Sequence, residues 1–152
     1  MSPNYPEIST AHVTDAHLDA IIAIDAKVGG VERPDYFFTK LSRAAAENQI
    51  PTSLVALIGP KVVGFLMGET LIGEFGVEGG AATVTVDTIG VDPEYRRRGV
   101  ATTLLTDYLT NARGLGVQRV VTYVDWNDWD LLQFFHAGEF VPAKTIALER
   151  EL

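Results

Sequence analysis

Residues 94–105 read EYRRRGVATTLL: three consecutive arginines (Arg96, Arg97, Arg98) meet Gly99, and apolar helix-forming residues follow. The chain holds twelve lysines and arginines against twenty acids, a net charge of −8, so a quarter of its basic residues sit at this turn. Arginine at a helix start opposes the macrodipole, and a bound anion removes that conflict. The first N–H groups of a helix have no partner within it, so a helix opening at Gly99 offers them to a phosphate. A loop arriving in the right conformation adds more N–H groups as an anion nest. Gly99 lets backbone approach the ligand, and the small Ala101 keeps that approach open. The run is not a Walker A loop, because no Gly-Lys-Ser/Thr follows, and it lacks a GxGxxG fingerprint. The plain alternative is a solvated basic helix start.

The elements that must position this turn follow from hydrophobic period and breakers. A short strand near Glu7–Thr10 leads to Thr14, which caps a helix carrying Leu18, Ile21, Ile22 and Val28 and stopping at VGG, 28–30. Pro34 starts a second helix with Phe37, Leu41, Ala44 and Ala45 on one face. Strands are expected over 52–58 and 62–72, then, after the loop GEFGVEGG (73–80), over 81–91. The arginine loop enters a helix over 98–113 whose stripe is Val100, Ala101, Leu104, Leu105, Tyr108, Leu109 and Ala112. QRVVTYVDW (118–126) is a strand, DWDLLQFFHAG a short helix, and FVPAKTIALEREL a final strand. Gly90, in an otherwise β-branched strand, marks a bulge or a close backbone approach.

RRRGVA matches the Arg/Gln-x-x-Gly-x-Gly/Ala motif, and the stretch DTIGVDPEYRRRGVATTLL resembles the GNAT acetyltransferase superfamily. Downstream, VDWNDWDLLQFFHAGEFVPA is similar to that family's strand-to-helix segment ending in Gly-Phe, so the likeness covers about 81–142. It implies an α/β fold: one domain over 1–152 with a mixed, mostly antiparallel central sheet, flanking helices, and a strand–pyrophosphate loop–helix unit. It also implies an acetyl-CoA-dependent N-acetyltransferase acting on a primary amine by direct attack in a ternary complex. The CoA pyrophosphate would lie on backbone groups of Arg97, Arg98, Gly99, Val100, Ala101 and Thr102 with Arg96 at the rim. The pantetheine arm would run along Ile89, Gly90 and Val91, whose N–H groups would polarise the thioester carbonyl. The segment's asparagine is Asn127 or Asp128, and Phe135 would pack on CoA.

The family's usual acid, a tyrosine, falls on Phe135 when the match is anchored on Phe140 and on Phe134 when anchored on Gly138. Phenylalanine donates no proton, although water can protonate a departing thiolate. The glycine that usually precedes the final aromatic is Glu139 in the first register. An acceptor amine must shed a proton before attack. Asp87 is the first candidate base, sharing the alternation face of Ile89. Tyr123, where some members carry glutamate, and Asp125 lie on one face of the neighbouring strand. Each is as readily a solvent-facing or structural group. Asp25, at the edge of the first helix's stripe, reads as a boundary residue, and Glu69 and Glu74 could face the acceptor cleft. Trp126, Trp129, Phe134 and Phe135 read as core. Asp87, Asp125, Asp128 and Asp130, with no basic neighbour but the arginine cluster, would favour a cationic acceptor, small molecule or protein amine.

Composition narrows the classes. At 152 residues and 47% hydrophobic, the chain can form one domain with a substantial core. It has no cysteine, so no disulfide framework or thiolate metal site, and its three histidines lack metal-ligand spacing. MSPNYPEIST is no signal peptide, and no apolar run reaches the ~20 residues that span a bilayer. A cytoplasmic protein without membrane or metal is expected, as a monomer or homodimer. A pI near 4.7 argues against nucleic acid, including an aminoacyl-tRNA acceptor. A non-catalytic acyl-CoA-binding regulatory domain is the other class, kept open by the missing tyrosine.

Overall fold

The computed structural model describes residues 6–46, 52–71 and 82–152. Its elements run β1 (Ile8–His12), α1 (Leu18–Gly29), α2 (Pro34–Ala46), β2 (Leu54–Ile58), β3 (Lys61–Met67), β4 (Thr70–Leu71), β5 (Thr83–Val86), β6 (Thr88–Val91), α3 (Val100–Gly114), β7 (Arg119–Thr122) and α4 (Trp129–Ala137). The loop 73–80, and Glu74 with it, lies outside the described residues.

Two sheets form among the described residues: antiparallel β1-β2-β3-β6, and β4-β5-β7, in which β5 and β7 run parallel. The sequence reads 81–91 as one strand, but the chain divides it at Asp87. The Asp87 N–H donates to the Met67 carbonyl (2.8 Å) while Thr88 takes Met67 as its register partner, so two residues face one. That bulge sends β5 to one sheet and β6 to the other. Of the two readings of Gly90, the bulge is ruled out, because the β3–β6 register runs through it unbroken. Gly90 is instead a close approach, where a Cβ would stand 2.6 Å from the Phe65 ring.

The core has two parts. α3 lays Val100, Leu104, Leu105, Tyr108 and Ala112 over Leu54, Val63 and Leu66, as its periodic stripe predicts. α1 and α2 bury Ile21, Ile24 and Phe37 against Val55, Phe65 and Met67 on the opposite face. Val28 departs from its predicted stripe and is half exposed, because α1 ends one residue later and Gly30 closes it at φ 78°. Asp25 clamps the two helices: Arg33 donates to it twice, at 2.8 and 2.7 Å. Trp126 and Trp129 were expected in the core and are 80% and 68% exposed, because Trp126 lies in the turn before α4 and Trp129 opens that helix.

Tyr108 fastens α3 to the strand that divides. Fully buried, its hydroxyl donates to the Thr85 carbonyl (2.6 Å) and accepts from the Thr52 hydroxyl (3.1 Å). Gly68 is obligatory beside it, since a Cβ there would collide with the Thr85 carbonyl and the Tyr108 hydroxyl.

Candidate functional site

A cleft of about 550 Å³ opens where β6 runs into α3, lined by backbone and side chains of Ile89 to Val91, Arg96, Arg97 and Gly99 to Thr102. β6 is the last strand of its sheet among the described residues. The Asp92 N–H points back to Val63 (2.8 Å), so by alternation Gly90 also faces β3, while Ile89 and Val91 direct their N–H and C=O groups to the open edge. The expectation that Gly90 offers its N–H to a ligand is corrected on this ground.

At the far end of that edge, Asp92 shapes the turn. Its Oδ1 accepts from the Glu94 N–H (3.1 Å) and its Oδ2 from Lys27 Nζ (3.2 Å), which ties the loop to α1. Burial works to raise the Asp92 pKa, but the Glu94 N–H and Lys27 outweigh it and hold the carboxyl below its ordinary range. Arg97 (φ 62°) and Gly99 (φ 79°) take the left-handed region, and α3 then starts with no side-chain cap and no acid in its first turn. The Thr103 N–H is the first to find the Gly99 carbonyl (2.9 Å), which leaves Val100, Ala101 and Thr102 aimed outward. A non-glycine residue at positive φ costs about 1–2 kcal/mol, so Arg97 is held there by its surroundings. An open strand edge leading to an uncapped, arginine-rimmed helix start suits a long ligand that carries phosphate.

The three arginines divide. Arg96 and Arg97 line the cleft. Arg98 instead places its guanidinium 5.0 Å above the Tyr95 ring, whose neighbourhood also holds Lys61 Nζ at 4.8 Å. Phe134 lines the cleft, whereas Phe135 is 4% exposed and packs edge-on with Phe134 and Phe140. The expectation of Phe135 against the ligand is thus corrected by one helix position, while Phe134 both packs on the core and lines the cleft. Glu139, standing where a glycine was expected, has φ 66°, the region glycine occupies without strain. Asn127 is exposed and outside the cleft lining; Asp128 caps α4, accepting from the Leu131 N–H (3.1 Å), and lines the cleft with Asp130.

Asp87 stands at the strand junction, at the opposite end of β6 from the arginines. The sequence reading left it without a basic neighbour, and the structure corrects this: Lys40 Nζ lies 2.5 Å from Asp87 Oδ2 and 2.9 Å from Glu69 Oε1. Arg43 approaches Glu69 at 3.9 Å, so the local charges balance rather than build a negative field. Burial pulls the Lys40 pKa down, but its bonds to Asp87 and Glu69 prevail and the net shift is upward. Tyr36 rests near Lys40 Nζ (5.4 Å from the ring centre), and burial pushes its phenol up. Tyr36 and Lys40 escaped the sequence reading. The available signal was a lysine three residues after Phe37 on the apolar stripe of α2. Tyr123 and Asp125 follow the end of β7 rather than lying on it, and Tyr123 is 80% exposed. Val86 and Thr122 form the last β5–β7 pair, beyond which the Asp87 N–H turns to the Met67 carbonyl while Tyr123 continues as exposed loop.

Among the described residues, no group of His, Asp and Glu is arranged to hold a metal ion, and no helix is long and apolar enough to cross a membrane. A sequence profile of the acetyltransferase (GNAT) family matches residues 18–136. No curated protein matches the sequence. The aminoglycoside N-acetyltransferase AAC(6')-Iy, solved in complex with CoA, is similar with a TM-score of 0.79 at 14% identity, covering 99% of this chain and 99% of that one. An aminoglycoside acetyltransferase from an uncultured soil metagenomic sample, in complex with sisomicin, gives 0.72 at 17% identity, covering 95% and 96%. A transcriptional regulator from Bacillus halodurans gives 0.76 at 17% identity, covering 96% and 100%. At such identities the likeness speaks for the fold: a sheet flanked by helices, with the strand–loop–helix unit at its centre.

Proposed function

The chain belongs to the acetyltransferase (GNAT) family, and on that premise we propose that it moves an acetyl group from acetyl-CoA to a primary amine, by direct attack within a ternary complex. The observation that carries this reading is the continuity of the open β6 edge with the uncapped start of α3. The N–H and C=O groups of Ile89 and Val91 suit the amides of a pantetheine arm, as one strand pairs with another. The outward N–H groups of Val100 to Thr102, with Arg96 and Arg97, suit a pyrophosphate. A CoA thioester bound this way supplies an activated acyl carbon with a thiolate leaving group.

The chain's own groups then have three tasks. The Ile89 N–H donates to the carbonyl oxygen that gains charge in the transition state. Asp87, oriented through Oδ2 by Lys40, takes the proton of the acceptor amine directly or through water, with Tyr123 beside that path. Phe134 shields the cleft from water and donates no proton, so the thiolate is protonated by solvent. The acceptor enters between α2 and the β5–β6 junction, past Tyr36, Lys40 and Glu69. The acceptor amine is carried by a small molecule or by a protein, since acetyltransferases of aminoglycosides and of a ribosomal protein share this fold.

The test is release of free thiol from acetyl-CoA in the presence of a panel of small amines and peptide amines. Amine-dependent release is expected. CoA binding without release for any amine would favour the non-catalytic acyl-CoA-binding reading instead.

A further inference from the structure

The entrance drawn for the acceptor already holds a primary amine of the chain itself. Lys40, from α2, brings its ammonium to Asp87 Oδ2 (2.5 Å) and Glu69 Oε1 (2.9 Å). Asp87 is the group that takes a proton from an acceptor amine, so Lys40 Nζ stands where such an amine must stand to lose one. Asp87 also precedes Ile89 by two residues, about 7 Å along the strand from the N–H assigned to the thioester carbonyl. Four methylene groups carry Nζ, so a change of side-chain rotamer, with α2 fixed, can turn it from the carboxylate toward that carbon.

The chain's other lysines set the contrast. Lys27, Lys61 and Lys144 are exposed, whereas Lys40 is 9% exposed and carries the Tyr36 ring 5.4 Å from Nζ. An acetyl group delivered from solution falls first on the exposed amines. One delivered from the chain's own cleft falls on Lys40, the most enclosed of the four.

We propose that the chain acetylates its own Lys40 when acetyl-CoA is bound and no other acceptor fills the entrance. The step presupposes acetyl transfer from acetyl-CoA with Asp87 as the base. One proton leaves Nζ through Asp87 to water, and the neutral nitrogen attacks the thioester carbon. A second proton leaves the nitrogen as the tetrahedral intermediate collapses. The C–N bond is then complete, the C–S bond is broken, and the thiolate takes one proton from solvent. The third proton stays on the amide, so the products are acetyl-Lys40, CoA and one released proton. The bonds to Asp87 and Glu69 keep Lys40 an ammonium at rest, which makes the step slow beside turnover of an added amine. The amide retains one N–H and no charge, so Asp87 and Glu69 lose the cation they share.

The purified chain incubated with acetyl-CoA and no amine, then read by intact mass and peptide mapping, tests this. The mass should rise by one acetyl group, placed on Lys40 ahead of Lys27, Lys61 and Lys144, with one equivalent of thiol released per chain. The rate per chain should not depend on protein concentration, because a nitrogen so enclosed is out of reach of another copy's cleft. Lys40→Arg keeps a cation for Asp87 and Glu69 but offers no primary amine, and it should lose the label. Asp87→Asn should slow labelling of Lys40 at least tenfold and leave the exposed lysines as they are in the parent. Label on the exposed lysines with Lys40 spared, or Lys40 labelled equally fast in parent and Asp87→Asn, overturns the proposal. Thiol release that depends on an added amine, with Lys40 unmodified when that amine is left out, overturns self-acetylation alone. Thiol release under neither condition removes the acetyl-transfer reading with it.

Discussion

Replacing Tyr108 with phenylalanine should loosen the joint between α3 and the dividing strand, with a pH signature of its own. The hydroxyl is buried and bonded to the Thr85 carbonyl at 2.6 Å and to Thr52 Oγ1 at 3.1 Å. Removing it leaves a buried acceptor short of a partner, which costs about 1–3 kcal/mol. For a chain of this size that lowers Tm by about 2–4 °C per kcal/mol. Burial raises the Tyr108 pKa from its ordinary 10.0 to about 12. A raised pKa stabilises the fold fully below the unfolded value, and the contribution fades as pH climbs from 10 through 12. Two pH units correspond to about 2.7 kcal/mol, so the parent should lose most of its advantage over the variant across that window. Urea unfolding of both proteins at pH 8, 10 and 11.5 measures the difference directly. A parent-minus-variant gap that stays constant from pH 8 to 11.5 would refute the reasoning, because the phenol would then titrate as it does in the unfolded chain.

Three further outcomes concern the cleft. Calorimetry should show Arg96→Ala and Arg97→Ala weakening CoA by about 1–3 kcal/mol each, the range for charge-assisted hydrogen bonds, with Arg98→Ala losing less because that guanidinium sits on Tyr95. Gly99→Val should weaken CoA at least as much: nothing lies within 4 Å of its Cβ position, so the effect comes from φ 79°, which a β-branched residue reaches only under strain. In acetyl-CoA turnover, Asp87→Asn should lower the rate at least tenfold with CoA affinity unchanged, while the parent's rate rises with pH as the amine loses its proton and shows no falling limb from position 134. Full activity of that variant across the pH range would make Asp87 a structural partner of Lys40.

The arginine turn was legible because its signals are local: Gly99 at a helix start, small Ala101, and basic residues against the dipole all lie within a few positions. The stripes of α1, α2 and α3 were legible for the same reason, since a period of 3.6 needs no partner to be seen. The division at Asp87 left a signal that a single-strand reading passes over: the apolar positions shift parity, from Val84 and Val86 to Ile89 and Val91, across Asp87-Thr88, where the chain leaves β7 for β3. Lys40 was hidden by its stem, which packs like an apolar residue while its ammonium reaches two carboxylates at distant strand junctions. Phe134 and Phe135 differ by about 100° around α4, a phase that a nine-residue helix bounded by two loops does not fix by pattern. The final strand expected over 140–152 does not form: residues 141–152 hold no regular secondary structure, because alternation marks a face that could be buried without supplying a neighbouring strand to pair with.

The most direct test of the central claim is the backbone amide spectrum of the protein titrated with CoA. The largest shifts should fall on Ile89, Val91 and Gly99 to Thr102, with smaller ones at Gly90, whose N–H faces β3, and at Arg98. Saturable shifts centred instead on β7, or spread evenly over the arginine side of α3 without Ile89 and Val91, would contradict binding along the open β6 edge.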